Sequence, residues 1–217
     1  MNILKFNFNP TTHLINGKEY QIKPVYIDLI LSFIIDRIIF TEGSNNHYTE
    51  IPSLSFKKLY DNYWIYMSYL TSNNIIERKP YSVKNHNCFG YRFTFDFMKY
   101  VQVYDIELSE PCERSNKIKE IPIEDQIILN YKTIQRLKSD FLSAEIDTTN
   151  IDKVKVENTA YIDAKKYFYN MIQLYKWNKG GEYLYFEKKS NRLYTNFTFL
   201  SSHYRLNNVR LNNESLV

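Results

Sequence analysis

The spacing of apolar residues predicts a helix near the start of the chain. Pro24 precedes a run from Val25 to Ile39 whose apolar residues cover more than half of a helical circumference. Such a pattern is typical of a helix that packs on several faces, and proline is well tolerated in a first turn. Before this helix, Phe6 and Phe8 alternate with asparagines as in a short strand. Asn16-Gly17 then predicts a tight turn.

A strand and two helices are expected next. We predict the strand at residues 48–51, a short helix at 56–60 and a longer helix at 63–72. Asn73-Asn74 follows the longer helix and suits a left-handed termination. The inward face of that helix is predicted to carry Trp64, Met67 and Leu70.

Two strands separated by a polar loop come next. Residues 75–78 are typical of a strand, and residues 79–89 are polar. Residues 90–97 alternate between aromatic and polar positions, which predicts a second strand. The complete order is helix, strand, helix, helix, strand, polar loop, strand.

This order resembles the winged-helix variant of the helix-turn-helix fold over residues 20–100. The resemblance implies that the third helix enters a DNA groove and that the loop between the last two strands is the wing. It rests on element order and pattern rather than on an invariant motif. A winged helix that is used only for protein contacts is the alternative.

The resemblance implies nucleic-acid contacts from two groups of residues. Lysine and arginine would neutralise phosphates, and asparagine would read a base edge. The exposed side of the helix pair is expected to present Lys57, Lys58, Asn62, Tyr66 and Thr71. The wing is expected to present Lys79, Lys84, Asn85, His86 and Arg92.

The second half of the chain is predicted to be richer in helix. We place a winged-helix-like domain at residues 1–104, a linker at 105–122 and a helical region with a small C-terminal hairpin at 123–217. Helices are expected at 123–142 and 161–177, and strands at 183–186 and 192–199. The fold class is therefore α+β.

Composition and charge narrow the classes of function. The net charge is +4, and it divides into +3 over residues 1–100, −5 over 101–164 and +6 over 165–217. Basic regions attract phosphate backbones, whereas ordinary solvated surface is the alternative interpretation. Aromatic residues make up 17% of the chain, which fits either a surface that stacks bases or an AT-rich coding sequence.

No constellation of residues for catalysis is found in the sequence. The two cysteines and four histidines are scattered, and neither a glycine-rich phosphate loop nor a nucleophile elbow is present. We therefore predict no enzyme activity, no metal and no cofactor. No signal peptide or membrane-spanning segment is predicted, which favours the cytoplasm of a bacterial host cell.

The segment from Asn191 to Leu200, with Arg205 after it, resembles the stretch that precedes the first catalytic motif of family A DNA polymerases. It is also similar to large uncharacterised proteins of phages and mobile elements. The resemblance implies phosphate contacts from Arg192 and Arg205. The metal-binding carboxylates of that family are missing, so the chain is expected to be a truncated or split product. An ordinary amphipathic strand is the alternative.

The favoured function is DNA binding in the replication of a phage, plasmid or other mobile element, without catalytic activity. Other replication proteins are possible partners, and no membrane partner is expected. One alternative is a structural or protein-interaction factor of a phage. A second is a winged-helix transcription regulator, which would dimerise through the second half of the chain.

Overall fold

A computed structural model describes residues 1–40, 48–80, 88–108, 163–178 and 200, together with the strand segments of the second half. The architecture is mixed α and β, with small sheets and five helices in the described residues, so the predicted α+β class is confirmed. The chain forms two compact units. The first contains residues 1–109 and 159–169, and the second contains residues 110–158 and 170–217.

The elements of the first unit are short and closely spaced along the chain. Its helices are α1 (Pro24–Phe40), α2 (Ser53–Leu59), α3 (Tyr63–Ser72) and α4 (Phe95–Tyr100). Its strands are β1 (Ile3–Phe6), β2 (Thr12–Ile15), β3 (Lys18–Gln21), β4 (Thr49–Glu50), β5 (Ile76–Lys79), β6 (Gly90–Phe93) and β7 (Val103–Glu107).

Helix α1 lies at the centre of the first unit, and its bounds match the prediction closely. Eight of its residues are buried, two of which are polar. The Ser32 hydroxyl accepts a hydrogen bond from the Leu4 N–H at 2.8 Å, and the Asp28 carboxylate accepts one from the Phe6 N–H at 3.1 Å. Both polar side chains therefore bind the backbone of β1, which explains how they are tolerated in the core.

Strands β2 and β3 form a hairpin at the predicted turn. Asn16 and Gly17 both have positive φ angles, of 49° and 79°. That pair of conformations suits a two-residue hairpin turn, and asparagine followed by glycine adopts it at little cost. The hairpin lies against α3, where the Tyr20 ring meets the Trp64 ring edge-on at 5.3 Å.

The core between α2, α3 and the sheet is aromatic. Phe56 of α2 is fully buried, and its ring lies within 5.6 Å of the rings of Phe33, Tyr63 and Tyr91. These contacts join α1, α3 and β6 to α2. The end of α3 follows the prediction, because Asn74 adopts a left-handed φ of 54°.

Three strands form an antiparallel sheet in the order β4-β6-β5. The last of these three strands along the chain, β6, is therefore central. Glycine is needed at position 90, because a Cβ there would lie 2.7 Å from the Cβ of Tyr48. Gly90 thus permits the close approach of β6 to the residue before β4.

The prediction of one strand over residues 90–97 is wrong in its second half. Strand β6 ends at Phe93, and Phe95 begins helix α4. The Thr94 side chain accepts a hydrogen bond from the Phe97 N–H, as in a helix N-cap, and Asp96 lies in the first turn. Thr94 also donates to the Asn74 carbonyl, so the cap is fixed to the end of α3.

The predicted linker at 105–122 is corrected at its start. Residues 105–107 belong to β7, which pairs antiparallel with β1. Residues 159–169, predicted to lie in the second region, belong to the first unit. There, the Phe168 ring contacts the rings of Phe6 and Phe93, and the Tyr167 hydroxyl donates to the Val101 carbonyl. The contacts of these two buried aromatic residues explain why residues 159–169 belong to the first unit.

The second unit contains small antiparallel sheets. Strands β9 (Leu184–Glu187) and β10 (Arg192–Thr195) pair with each other, as the predicted C-terminal hairpin requires. Strand β11 (Val209–Leu211) pairs with both β8 (Ala144–Ile146) and β12 (Glu214–Ser215).

Helix α5 (Ala164–Asn178) begins three residues later than predicted. The predicted helix at 123–142 lies outside the described residues. None of the described helices has the length and hydropathy that crossing a bilayer requires.

Candidate nucleic-acid interface

Helix α3 has a buried face and an exposed face, and two predictions about them are wrong. Tyr66, expected on the exposed side, is only 2% exposed. Its hydroxyl accepts the Lys23 N–H at 3.3 Å, and burial raises its pKa. Trp64, expected to face inward, is 42% exposed, whereas Met67 and Leu70 are buried as predicted.

The exposed side of α3 is neutral. Trp64, Ser68, Thr71 and Ser72 follow one another at helical spacing, and no residue of the helix is charged. The Thr71 hydroxyl donates to the Met67 carbonyl within the helix, so its own lone pairs stay available as acceptors. This surface combines one large aromatic ring with small hydroxyl groups.

The β2–β3 hairpin lies along one edge of that surface. His13 shares a hydrogen bond with the Ser68 hydroxyl at 3.1 Å, and its ring meets the Tyr69 ring edge-on at 5.6 Å. With the contact between Tyr20 and Trp64, these interactions anchor the hairpin to α3. The sequence predicts the turn at Asn16-Gly17 but neither the two strands of the hairpin nor its position against α3.

The cations of α2 are exposed, as predicted. Lys57 and Lys58 lie in the last turn, where positive charge is also favoured by the helix dipole. Within the described ranges neither lysine has a salt bridge. Asn62, the residue before α3, is exposed and its side chain makes no capping hydrogen bond. Its amide can therefore reach a ligand.

Arg92, a predicted wing residue, is engaged within the protein. Its Nε donates to Glu77 at 2.8 Å, and a second guanidinium nitrogen lies 2.6 Å from the same carboxylate oxygen. The guanidinium also lies over the Tyr48 ring, at 4.6 Å from the centroid, and Tyr48 donates to Glu77. Because Arg92 and Glu77 are directly opposite in the sheet, the register itself produces this pair.

Arg78 lies on the opposite face of the sheet from Arg92. It pairs in register with Tyr91, and side chains of adjacent strands that are in register share a face. Its guanidinium lies over the Phe89 ring at 4.6 Å from the centroid. Tyr91 is buried beneath it, and this burial raises the pKa of Tyr91 to about 12. Lys79, which follows Arg78 and was predicted to belong to the wing, is exposed.

A cavity of about 280 Å³ lies between α3 and these strands. Its lining includes Trp64, Thr71 and Ser72 from the helix and Arg78, Phe89 and Tyr91 from the strand side. The sequence pattern assigns Arg78, Phe89 and Ser72 to no site. The place of Arg78 in the site follows from the strand register, which pairs residue 78 with residue 91 and so places an arginine on the aromatic face.

Several predicted contacts lie outside the described side chains. These are Lys84, Asn85 and His86 of the predicted wing, together with Arg192 and Arg205 near the C-terminus. Arg192 begins strand β10, of which the structure describes the backbone course. Among described residues, no group of three or more histidine, cysteine, aspartate or glutamate side chains is arranged to hold a metal ion.

No protein-family model, no curated protein and no solved structure matches this chain. The function must therefore be argued from the residues and their geometry.

Proposed function

We propose that the first unit is a winged-helix module that binds DNA. The order of elements supports this proposal, because α1, β4, α2, α3, β5 and β6 follow one another as the helices and strands of that fold do. The strand order β4-β6-β5, with the last strand central, agrees with it as well. On this view α3 is the recognition helix, and the chain between β5 and β6 is the wing.

The observation that carries the proposal is the arrangement of charge around α3. The helix itself is neutral, but Lys57 and Lys58 precede it in the chain and Arg78 and Lys79 follow it. None of these four cations has a salt bridge within the described part of the chain. Cations on the segments before and after a neutral helix suit a division of labour in which phosphate contacts position the protein and base contacts specify the sequence.

The test is fluorescence anisotropy with labelled duplex and single-stranded DNA from about 50 to 200 mM salt. We expect affinity to fall steeply with salt. Because each lost phosphate contact reduces the salt slope by about one unit, Lys57→Ala/Lys58→Ala should lower the slope on duplex by about two.

Lys99→Ala is the matched control, since Lys99 is also exposed but lies in the last turn of α4 and does not line the cavity beside α3. It should leave the slope unchanged. The absence of measurable binding to either oligonucleotide at low salt would overturn the proposal.

A second candidate function is protein binding through the same surface. The observation that favours it is the lack of any charged residue on α3, combined with the exposed indole of Trp64. Aromatic residues are enriched at protein interfaces, whereas Lys-poor helices contribute little to phosphate contacts. The salt series separates the two candidates, because protein docking alone predicts no affinity for DNA. A role in replication remains a prediction from the sequence.

A further inference from the structure

The cavity beside α3 has two kinds of wall. One is aromatic, formed by Trp64 together with Phe89 and Tyr91. The other is polar, formed by the hydroxyls of Thr71 and Ser72 and by the Arg78 guanidinium. The Arg78 guanidinium makes a cation–π contact with Phe89 at 4.6 Å from the ring centroid, and it has no salt bridge among the described residues. Its charge is therefore available to a ligand.

The dimensions and chemistry suit one planar, anionic ligand unit. A volume of about 280 Å³ is just below the range of roughly 300–1,000 Å³ that small-molecule sites occupy, so it suits a ligand of the size of one nucleobase. A nucleobase would stack on an aromatic ring or a guanidinium plane, and its phosphate would lie near the arginine charge. The Thr71 hydroxyl, whose proton is donated to the Met67 carbonyl, can accept from a base edge, and the Ser72 hydroxyl can donate or accept.

We propose that this cavity binds an unpaired nucleotide of a single-stranded nucleic acid. The inference rests on the proposed function and narrows it, because it names the form of nucleic acid that α3 and the strands recognise. Trp64 and Phe89 are assigned to base stacking, and Arg78 to the adjoining phosphate.

A paired base does not suit this site. In a duplex the faces of the bases are stacked on one another, and proteins reach only the base edges in the grooves. A concave site with aromatic walls needs the face of a base, which is accessible only in an unstacked nucleotide. The surface therefore favours single strands over duplex.

The protein contains two tryptophans, which makes a direct spectroscopic test possible. In a Trp177→Phe variant, Trp64 is the only tryptophan. Titration with oligo(dT) or oligo(rU) should quench its fluorescence with saturation, because a stacked base contacts the indole. The two oligonucleotides share the stacking chemistry. The one that binds with the higher affinity identifies whether the ligand is DNA or RNA.

Variants of the lining test the assignment of each residue. Stacking energies for one base correspond to a loss of roughly tenfold to a hundredfold in single-strand affinity for Trp64→Ala, whereas Trp64→Phe should retain most of the affinity. Arg78→Ala should weaken binding and reduce the salt slope by about 0.7, the value for one phosphate of a single strand. Arg78→Lys should restore the slope but not the full affinity, since lysine lacks the planar group.

Tyr20→Ala is the control for indirect effects. It removes the edge-on contact that Tyr20 makes with Trp64, but Tyr20 is not part of the cavity lining. Single-strand affinity should therefore change much less than in Trp64→Ala. An equal loss in the two variants would assign the effect to the hairpin and overturn the inference.

The outcomes separate the inference from the proposed function. Quenching of Trp64 with preference for single strands supports both. Salt-sensitive binding of duplex without quenching, and without sensitivity to Trp64→Ala, overturns the inference and leaves the proposed function intact. No binding of any oligonucleotide at low salt overturns both.

Discussion

Helices α1 and α3 are both rich in apolar residues with a few polar ones, yet they use their polar residues differently. In α1, Asp28 and Ser32 are buried and hold the backbone of β1. In α3, Thr71 and Ser72 are exposed beside a cavity. The polar residues of α1 thus stabilise the fold, whereas those of α3 are available to a ligand. The comparison shows that a polar residue in an apolar helix is not by itself a sign of a binding site. The group to which its side chain is hydrogen-bonded must be known first.

The largest expected effect is on the free energy of unfolding, which should fall when a polar residue of α1 is removed but not when one of α3 is removed. Asp28→Ala or Ser32→Ala removes the acceptor of a buried backbone N–H, which should lower the free energy of unfolding by about 1–3 kcal/mol each. Ser72→Ala, the matched control on α3, should change it by less than about 0.5 kcal/mol. Urea denaturation monitored by circular dichroism measures the difference. Equal effects at the three positions would remove the distinction between the helices.

Tyr91 provides the next effect, because it is a buried polar group beneath the α3 side of the sheet. Its pKa in the folded protein is about 12, against an ordinary value of 10.0, so the folded state keeps a proton that the unfolded state loses. The stability associated with Tyr91 is therefore fully present below about pH 10 and is lost as the pH rises towards 12.

Relative to Tyr91→Phe, the wild type should lose up to roughly 2–3 kcal/mol over this interval, at 1.36 kcal/mol per pKa unit. Denaturation midpoints of both proteins across the alkaline range measure this loss. Parallel curves for the two proteins would show that the hydroxyl of Tyr91 is not shielded from water.

The smallest expected effect concerns the two arginines on opposite faces of the sheet. Arg92 is paired with Glu77 and about 40% exposed, so Arg92→Ala should lower the unfolding free energy by no more than about 1 kcal/mol. It should leave single-strand affinity unchanged, whereas Arg78→Ala should weaken it. Anisotropy titrations of the two variants under identical salt conditions make the comparison. Loss of affinity in Arg92→Ala alone would place the contact on the other face.

Local patterns in the sequence predicted α1, α3 and the hairpin turn well, but they placed the start of α4 in a strand. The bounds of α3 and the turn at Asn16-Gly17 depend on neighbouring residues, so they were accessible from the sequence. Strand β7 was missed because its partner β1 lies about a hundred residues earlier in the chain. A local pattern can indicate a strand, as it does near Phe6, but it does not identify so distant a partner.

The candidate site was less predictable than the fold. Aromatic residues occur around the whole circumference of α3, so the periodicity of the sequence did not separate Trp64 from Tyr66. Each of the two residues was assigned to the wrong face of the helix. The sequence also did not show which arginine could bind a ligand. Arg92 and Arg78 look alike in the sequence, but only the strand register shows that Glu77 opposes the first and Tyr91 the second.

Photo-crosslinking with single-stranded DNA that carries 5-iododeoxyuridine tests the central claim most directly, because this base crosslinks efficiently to aromatic side chains in contact with it. We predict crosslinked peptides that contain Trp64 or Phe89, and their loss when unlabelled oligo(dT) competes. Crosslinks confined to other parts of the chain, with none in α3 or at the start of β6, would contradict the assignment of this surface to nucleic-acid binding.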